Sequence, residues 1–250
     1  MRYINTIKES RLIFGDNLRV MDDLPAYSID VIVTDPPYCF SKHNGKLERG
    51  ENEKCHSNTS LYDYNDDTGE CRIKVQFTKD DIYRWLDMTP RLMKKMNAFI
   101  FCCEDQIPLY AQWALEHGYK FALLVWEKPL AIINKKRFAQ NAEFIIRIYE
   151  LGTGLNAMDD SEMYSRVLHA PAVRKKLTPT QKPSEIMERF IRLSTQEGGV
   201  VLDPFLGSGT TAVAAQRLGR KYIGIENNEK FYAIAENRLK GEAKQQELFE

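Results

Sequence analysis

Short apolar runs rich in β-branched residues recur along the chain, separated by polar or turn-forming stretches. They are Leu12–Phe14, Ile29–Thr34, Ala98–Cys103, Phe121–Trp126, Phe144–Tyr149, Val200–Leu202 and Tyr222–Ile225. The runs are continuous rather than alternating, which predicts strands buried on both faces, as in a parallel sheet. Helical periodicity lies between them. Asp105–His117 carries Ile107, Leu109, Tyr110, Trp113 and Ala114 as its apolar positions and stops at Gly118, a suitable C′ glycine. Pro183–Thr195 opens with a proline tolerated at N1 and gathers Ile186, Met187, Phe190, Ile191 and Leu193 mostly on one face. Thr210–Leu218 and Glu229–Leu239 are the other predicted helices. Strands alternating with helices predict a doubly wound α/β sheet, and a chain of 250 residues suits a single domain spanning 1–250.

Two stretches break this rhythm. Residues 39–78 are polar, with Asn, Asp, Gly and Ser scattered through them, and are expected to form an insertion loop near the functional site. Leu151–Pro183 is also polar and rich in turn residues.

Composition changes this picture little. The chain is 43% hydrophobic, and its 35 Lys+Arg balance its 35 Asp+Glu. A balanced chain needs only a local basic surface to meet phosphates, so bulk charge neither selects nor excludes a nucleic-acid partner. The first residues, MRYINTIKESRLIF, lack an apolar signal-peptide core, and no run reaches the length of a membrane span. The five cysteines are irregularly spaced and read as reduced thiols, so a cytoplasmic protein is expected. Cys39, His43, Cys55, His56 and Cys71 cluster in the polar loop without a CxxC pair, and no metal is expected there. Cys102, Cys103, Met93, Met96 and Trp113 are expected in the core.

Two motifs carry chemistry. Asp35-Pro36-Pro37-Tyr38 directly follows the strand Ile29–Thr34. Two prolines cannot donate to a sheet ladder, so the strand must stop and the backbone beyond it is stiff. The Asp35 carboxylate and the Pro36 carbonyl become fixed acceptors beside the Tyr38 ring. Such an array suits an aromatic amine. Its two N–H groups would be taken by the acceptors, its nitrogen lone pair freed from the ring, and its ring stacked on the tyrosine. By itself the tetrapeptide also reads as an acidic turn capping a strand.

The second motif is the strand ending at Asp203, then Pro204-Phe205-Leu206-Gly207-Ser208-Gly209-Thr210-Thr211, then a helix. Glycines here permit a tight turn and close approach of backbone to a nucleotide-like ligand. The next strand ends at Glu226, followed by Asn227, and an acid at that place can accept hydrogen bonds from ribose hydroxyls. A dinucleotide such as NAD or FAD remains a competitor for this motif read alone. The loop lacks the lysine of a phosphate-binding Walker loop, and Asp203 before it could hold a ligand ammonium group.

Together the motifs resemble the amino-methylating DNA methyltransferases. The DPPY tetrapeptide precedes DPFLGSGTT, the circularly permuted order of the β class within that family. Gly15-Asp16-Asn17 is similar to the family's acidic loop, Trp126-Glu127-Lys128-Pro129 to its motif VIII and Gln181-Lys182-Pro183-Ser184 to its motif X. The resemblance covers residues 11–40, 98–150 and 180–240. It implies a Rossmann-like, mostly parallel sheet of seven strands with one antiparallel hairpin strand.

The resemblance also implies an S-adenosylmethionine-dependent enzyme that methylates the exocyclic amino group of a flipped base. Adenine N6 is expected from the Asp of DPPY, with cytosine N4 or an RNA or protein amine as alternatives. Asp35, Pro36, Pro37 and Tyr38 are the expected catalytic residues. Asp16, Asn17, Lys182, Asp203, Pro204, Phe205, Gly207, Ser208, Gly209, Thr210, Thr211, Glu226 and Asn227 are the expected cofactor contacts. Lys128, Lys135, Lys136, Arg137, Arg174, Lys175 and Lys176 are candidate contacts to duplex DNA, or else a solvated charged face. Residues 130–180 stand where the β class inserts target recognition. A second subunit and a cognate restriction endonuclease are further candidate partners.

Overall fold

The computed structural model describes residues 7–38, 42–43, 46–47, 62–64, 71–73, 77–128, 139, 141–171, 173, 176–178 and 181–247. The chain enters through β1 (Arg11–Phe14), α1 (Asn17–Asp23) and β2 (Val31–Thr34). Two small antiparallel ribbons follow, β3 (Lys42–His43) with β4 (Lys46–Leu47) and β5 (Tyr62–Tyr64) with β6 (Cys71–Ile73). Then come α2 (Lys79–Leu86), α3 (Thr89–Leu92), β7 (Asn97–Cys102), α4 (Ile107–Glu116), β8 (Lys120–Glu127) and β9 (Ala142–Tyr149). The C-terminal part supplies β10 (Val167–His169), α5 (Ser184–Ser194), β11 (Val200–Asp203), α6 (Thr210–Arg217), β12 (Lys221–Glu226) and α7 (Glu229–Glu247).

Eight strands form the central sheet in the order β1-β12-β11-β2-β7-β9-β8-β10. Only β9 runs antiparallel, pairing with both β7 and β8. The sheet thus has one strand more than the seven expected, because Val167–His169 pairs in parallel with the end of β8. Three residues are too short to show a periodicity, which is why sequence patterning passes over them.

Alternate residues of each inner strand feed opposite cores, as a pleated strand dictates. Ile32, Ala98, Ile100, Leu202 and Ile225 pack with Met21 of α1, Trp85 of α2 and Trp113 of α4. Val31, Val33, Phe99, Phe101 and Val201 pack with Ile186, Phe190 and Ile191 of α5 and Ala214 and Ala215 of α6. Phe99 stacks on Phe190 with ring centroids 4.3 Å apart. Fully burying a side chain of this size contributes about 1.5–3 kcal/mol, so these two layers dominate stability. Cys102, Met93, Met96 and Trp113 all lie in the first core, as expected from sequence.

Local signals set the helix ends. Thr78 caps α2 in a capping box, its Oγ1 accepting from Asp81 N at 3.3 Å and its N donating to Asp81 Oδ2 at 2.8 Å. Gly118 ends α4 with φ 75°. The two halves of the chain are joined at the base of the sheet. Asp30 N donates to Val200 O at 2.9 Å and Val200 N to Asp30 Oδ2 at 2.8 Å, with Lys94 paired to the same carboxylate. This seam lets C-terminal β11 and β12 slot between N-terminal β1 and β2.

The described part of residues 130–180 is built into this body rather than projecting from it. It includes β9 and β10, and Arg189 of α5 donates to the carbonyls of Glu162, Met163 and Ser165. Among the described residues no helix is long and apolar enough to cross a membrane.

Candidate active site

Helices lie on both faces of the sheet, and the chain leaves β2 and β11 on opposite sides of their shared boundary. That boundary is a topological switch point, and a crevice opens beyond the carboxyl ends of the two strands. DPPY follows β2 and the glycine loop follows β11. Thr34 Oγ1, the last residue of β2, donates to Asp203 Oδ1, the last of β11, at 2.7 Å. Asp35, Pro37, Asp203, Gly207 and Glu226 consequently line a single cleft.

On the glycine-loop side, local bonds set the shape. Asp203 Oδ1 also accepts from Phe205 N at 3.1 Å, which starts the turn. Gly209 caps α6 in the left-handed region with φ 81°, and a Cβ there would stand 2.9 Å from the Cβ of Ala235 on α7. Gly207, with φ 56°, has open space where its Cβ would point, so a ligand can approach its backbone. Glu226 accepts from Gly207 N at 2.8 Å through Oε2 and from Asn228 N at 2.7 Å through Oε1. Arg238 Nη1 of α7 donates to Ser208 O at 2.6 Å and reaches Thr210 Oγ1 at 3.2 Å. Thr211 Oγ1 donates to Val33 O at 3.2 Å, tying α6 to β2.

Burial raises both acids. Asp203 is pushed up to about 6 against the opposing bonds from Thr34, Thr211 and Phe205. Glu226 is pushed up to about 7 against the backbone donors around it. Each carboxylate lines the cleft and, among the described residues, is met by neutral donors and no cation.

On the DPPY side, full charges meet. Lys182 Nζ lies 2.8 Å from Asp35 Oδ2 and 3.2 Å from Glu143 Oε2, and donates to Tyr38 OH at 3.2 Å. Lys128 Nζ closes on Glu143 Oε1 at 2.5 Å. Lys182 also sits 5.3 Å from the ring centroids of Tyr38 and Phe101. Burial would lower Lys182, but Asp35 and Glu143 hold its pKa above the ordinary lysine value. Burial would raise Glu143, but Lys182 and Lys128 hold it down at about 2. Asp35 is raised, burial outweighing the opposing Lys182. Gln106, itself buried, donates to Pro37 O at 2.9 Å and fixes the second proline.

The expected site residues divide accordingly. Asn17, Pro204, Phe205, Ser208, Thr210, Thr211 and Asn227 line the cleft with the glycine-loop acids. Asp16 instead caps α1, accepting from Arg19 N at 3.0 Å, and is absent from the cleft lining. Lys182, expected among cofactor contacts, lines this same cleft and has its ammonium on Asp35. Lys128, expected on phosphate, is paired with Glu143, whereas Lys176 is exposed. Lys135, Lys136, Arg137, Arg174 and Lys175 lie outside the described residues, as do Cys39, Cys55 and His56. Glu143, Gln106, Arg238 and the cleft-lining Phe77 escaped the sequence reading. Glu143 could have been found as a lone acid at the edge of an apolar strand run; the others carry no motif.

A family model described as DNA methylase, covering N6 and N4 methyltransferases, matches residues 29–237. The type II methyltransferase M2.LlaDCHI of Lactococcus lactis subsp. cremoris is 29% identical, over 91% of this chain and 88% of that protein. The type II methyltransferase M2.DpnII of Streptococcus pneumoniae is 28% identical, over 92% and 90%. Among solved structures, the M1.HpyAVI–SAM complex has TM-score 0.67 and 24% identity, covering 92% of this chain and 98% of that one. The cytosine-N4-specific PvuII DNA methyltransferase has TM-score 0.71 at 17% identity, covering 93% and 87%. These two structures share the fold.

Proposed function

The chain belongs to the N6/N4 family of DNA methylases, and from that premise we propose that it methylates adenine N6 at a specific sequence in duplex DNA. The observation that carries this reading is the single cleft, in which Asp35 of DPPY and the glycine loop are locked side by side through Thr34 and Asp203. The chemistry of the cleft fits S-adenosylmethionine. Asp203 suits the ammonium of its methionine part, Glu226 its ribose hydroxyls, and the open face of Gly207 its close approach. When bound, the cofactor supplies an activated methyl group, so no covalent nucleophile is needed from the protein.

The protein's own part is positioning. A base must leave the stack for its amino group to reach Asp35. Asp35 and the Pro36 carbonyl accept the two amino N–H groups, and the Tyr38 ring offers a stacking surface. Gln106 keeps the second proline, and with it the strand end, from drifting. Held reactants in this arrangement account for most of the rate gain. The choice of adenine follows the family tendency that places Asp, rather than Ser, before the two prolines in N6 enzymes. The type II names of the relatives support a restriction endonuclease acting on the same site, and a second subunit or the residues near 39–78 and Lys176 as the DNA grip. A cytoplasmic location accords with that role.

The test is to incubate the chain with unmethylated genomic DNA and methyl-labelled S-adenosylmethionine, then digest to nucleosides. Label in N6-methyladenine is expected. Label in N4-methylcytosine overturns the choice of base, and label in neither overturns the assignment.

A further inference from the structure

Behind Asp35, charged side chains from four segments form one network. Lys182, just before α5, lies in ion-pair contact with Asp35 Oδ2 at 2.8 Å and Glu143 Oε2 at 3.2 Å and donates to Tyr38 OH. Glu143 of β9 is gripped from its other oxygen by Lys128, just past β8. Asp35 Oδ1 and Glu143 Oε2 are both buried without a hydrogen-bond partner among the described residues, but of the two only Asp35 lines the cleft, where its side chain keeps 20% exposure. An orphaned buried acceptor beside a cleft is a place for a ligand donor.

We propose that Lys182 is a positioning residue for the base: it saturates Oδ2 of Asp35 and leaves Oδ1 as the acceptor for one amino N–H, while Glu143 and Lys128 anchor its ammonium. This rests on Asp35 being the amine acceptor. The physical need is plain. Burial favours the neutral acid at Asp35, and a neutral Asp35 would offer an O–H to an amino group that requires an acceptor. Lys182 opposes that protonation, whereas Glu143, as a like charge, favours it. The other groups facing this cluster are Tyr38, Cys102, Asp203 and Lys176.

The network therefore predicts shifts of opposite sign. Single-turnover methyl transfer to unmethylated genomic DNA is followed against pH for the full chain and for Lys182→Met, Glu143→Gln and Asp35→Ala. Lys182→Met moves the acidic limb of the profile up by about one unit or more, so that rate recovers at higher pH. Glu143→Gln moves the same limb down. Donor affinity, read by calorimetry with S-adenosylmethionine alone, stays within about twofold in both, since the Lys182 ammonium, though at the cleft, is engaged by Asp35 and Glu143. Limbs that stay put or shift together, or a Lys182→Met that loses donor affinity instead, overturn the proposal. If Lys182→Met does not fold, the direction of the Glu143→Gln shift decides. Asp35→Ala methylating at the wild-type rate would instead overturn the reading of Asp35 itself.

Discussion

The two walls of the cleft are built on opposite principles. The glycine-loop wall takes its acids from the ends of two successive strands, β11 and β12, and they are met by backbone amides and by the Thr34 hydroxyl, which are neutral donors. The DPPY wall draws Asp35, Lys128, Glu143 and Lys182 from four distant segments, and they meet as full charges. Neutral donors leave buried Asp203 and Glu226 at about 6 and about 7, ready to gain from a cationic or hydroxyl-bearing ligand. Full charges instead surround Asp35, and one of its oxygens has no hydrogen-bond partner among the described residues. One wall is shaped to bind and the other to hold a charge in place.

Substitutions on the two walls should separate these roles. The largest effect is expected for Asp35→Ala, which removes the amine acceptor. Methyl transfer falls by about 10²–10³-fold or more in single-turnover assays, while donor binding by calorimetry is preserved. Equal loss of both would merge the walls into one functional unit. Next comes Gly209→Ala, which forces a Cβ against Ala235 in a left-handed backbone. It should lower unfolding free energy by about 1–3 kcal/mol in denaturant titration and weaken donor binding with it.

The smallest effect is the pH dependence of the binding wall. Asp203 must be ionised to pair with the donor's ammonium, so affinity should fall about tenfold per pH unit below about 6 and level off above it. Asp203→Asn should flatten that profile. In the free protein the sign reverses. A carboxyl raised above its ordinary 3.8 holds a proton that the unfolded chain has released, so its contribution to stability is present at low pH. That contribution is lost as pH rises through about 6, a trend thermal unfolding without donor would reveal.

What could be read from sequence follows this same division. Continuous apolar runs marked the long strands, and the glycine loop and DPPY announced themselves because their chemistry is written in adjacent residues. Their convergence on one cleft was expected from motif order, and the Thr34–Asp203 bond realises it. The edge strand Val167–His169 and helix α2 were not legible, being short or placed beside a polar stretch. The sequence names Asp16 and Lys182 as site residues but not their partners within the protein: Asp16 caps α1, and Lys182, which lines the cleft, lies on Asp35.

The sequence by itself therefore determined the strands, the turn chemistry and the two motifs, since each depends on neighbours within a few residues. Only the tertiary structure decided which charges meet. Glu143 and Lys182 stand far apart along the chain, and ion pairing depends on distance in space and on the loss of solvent, neither of which a local pattern encodes.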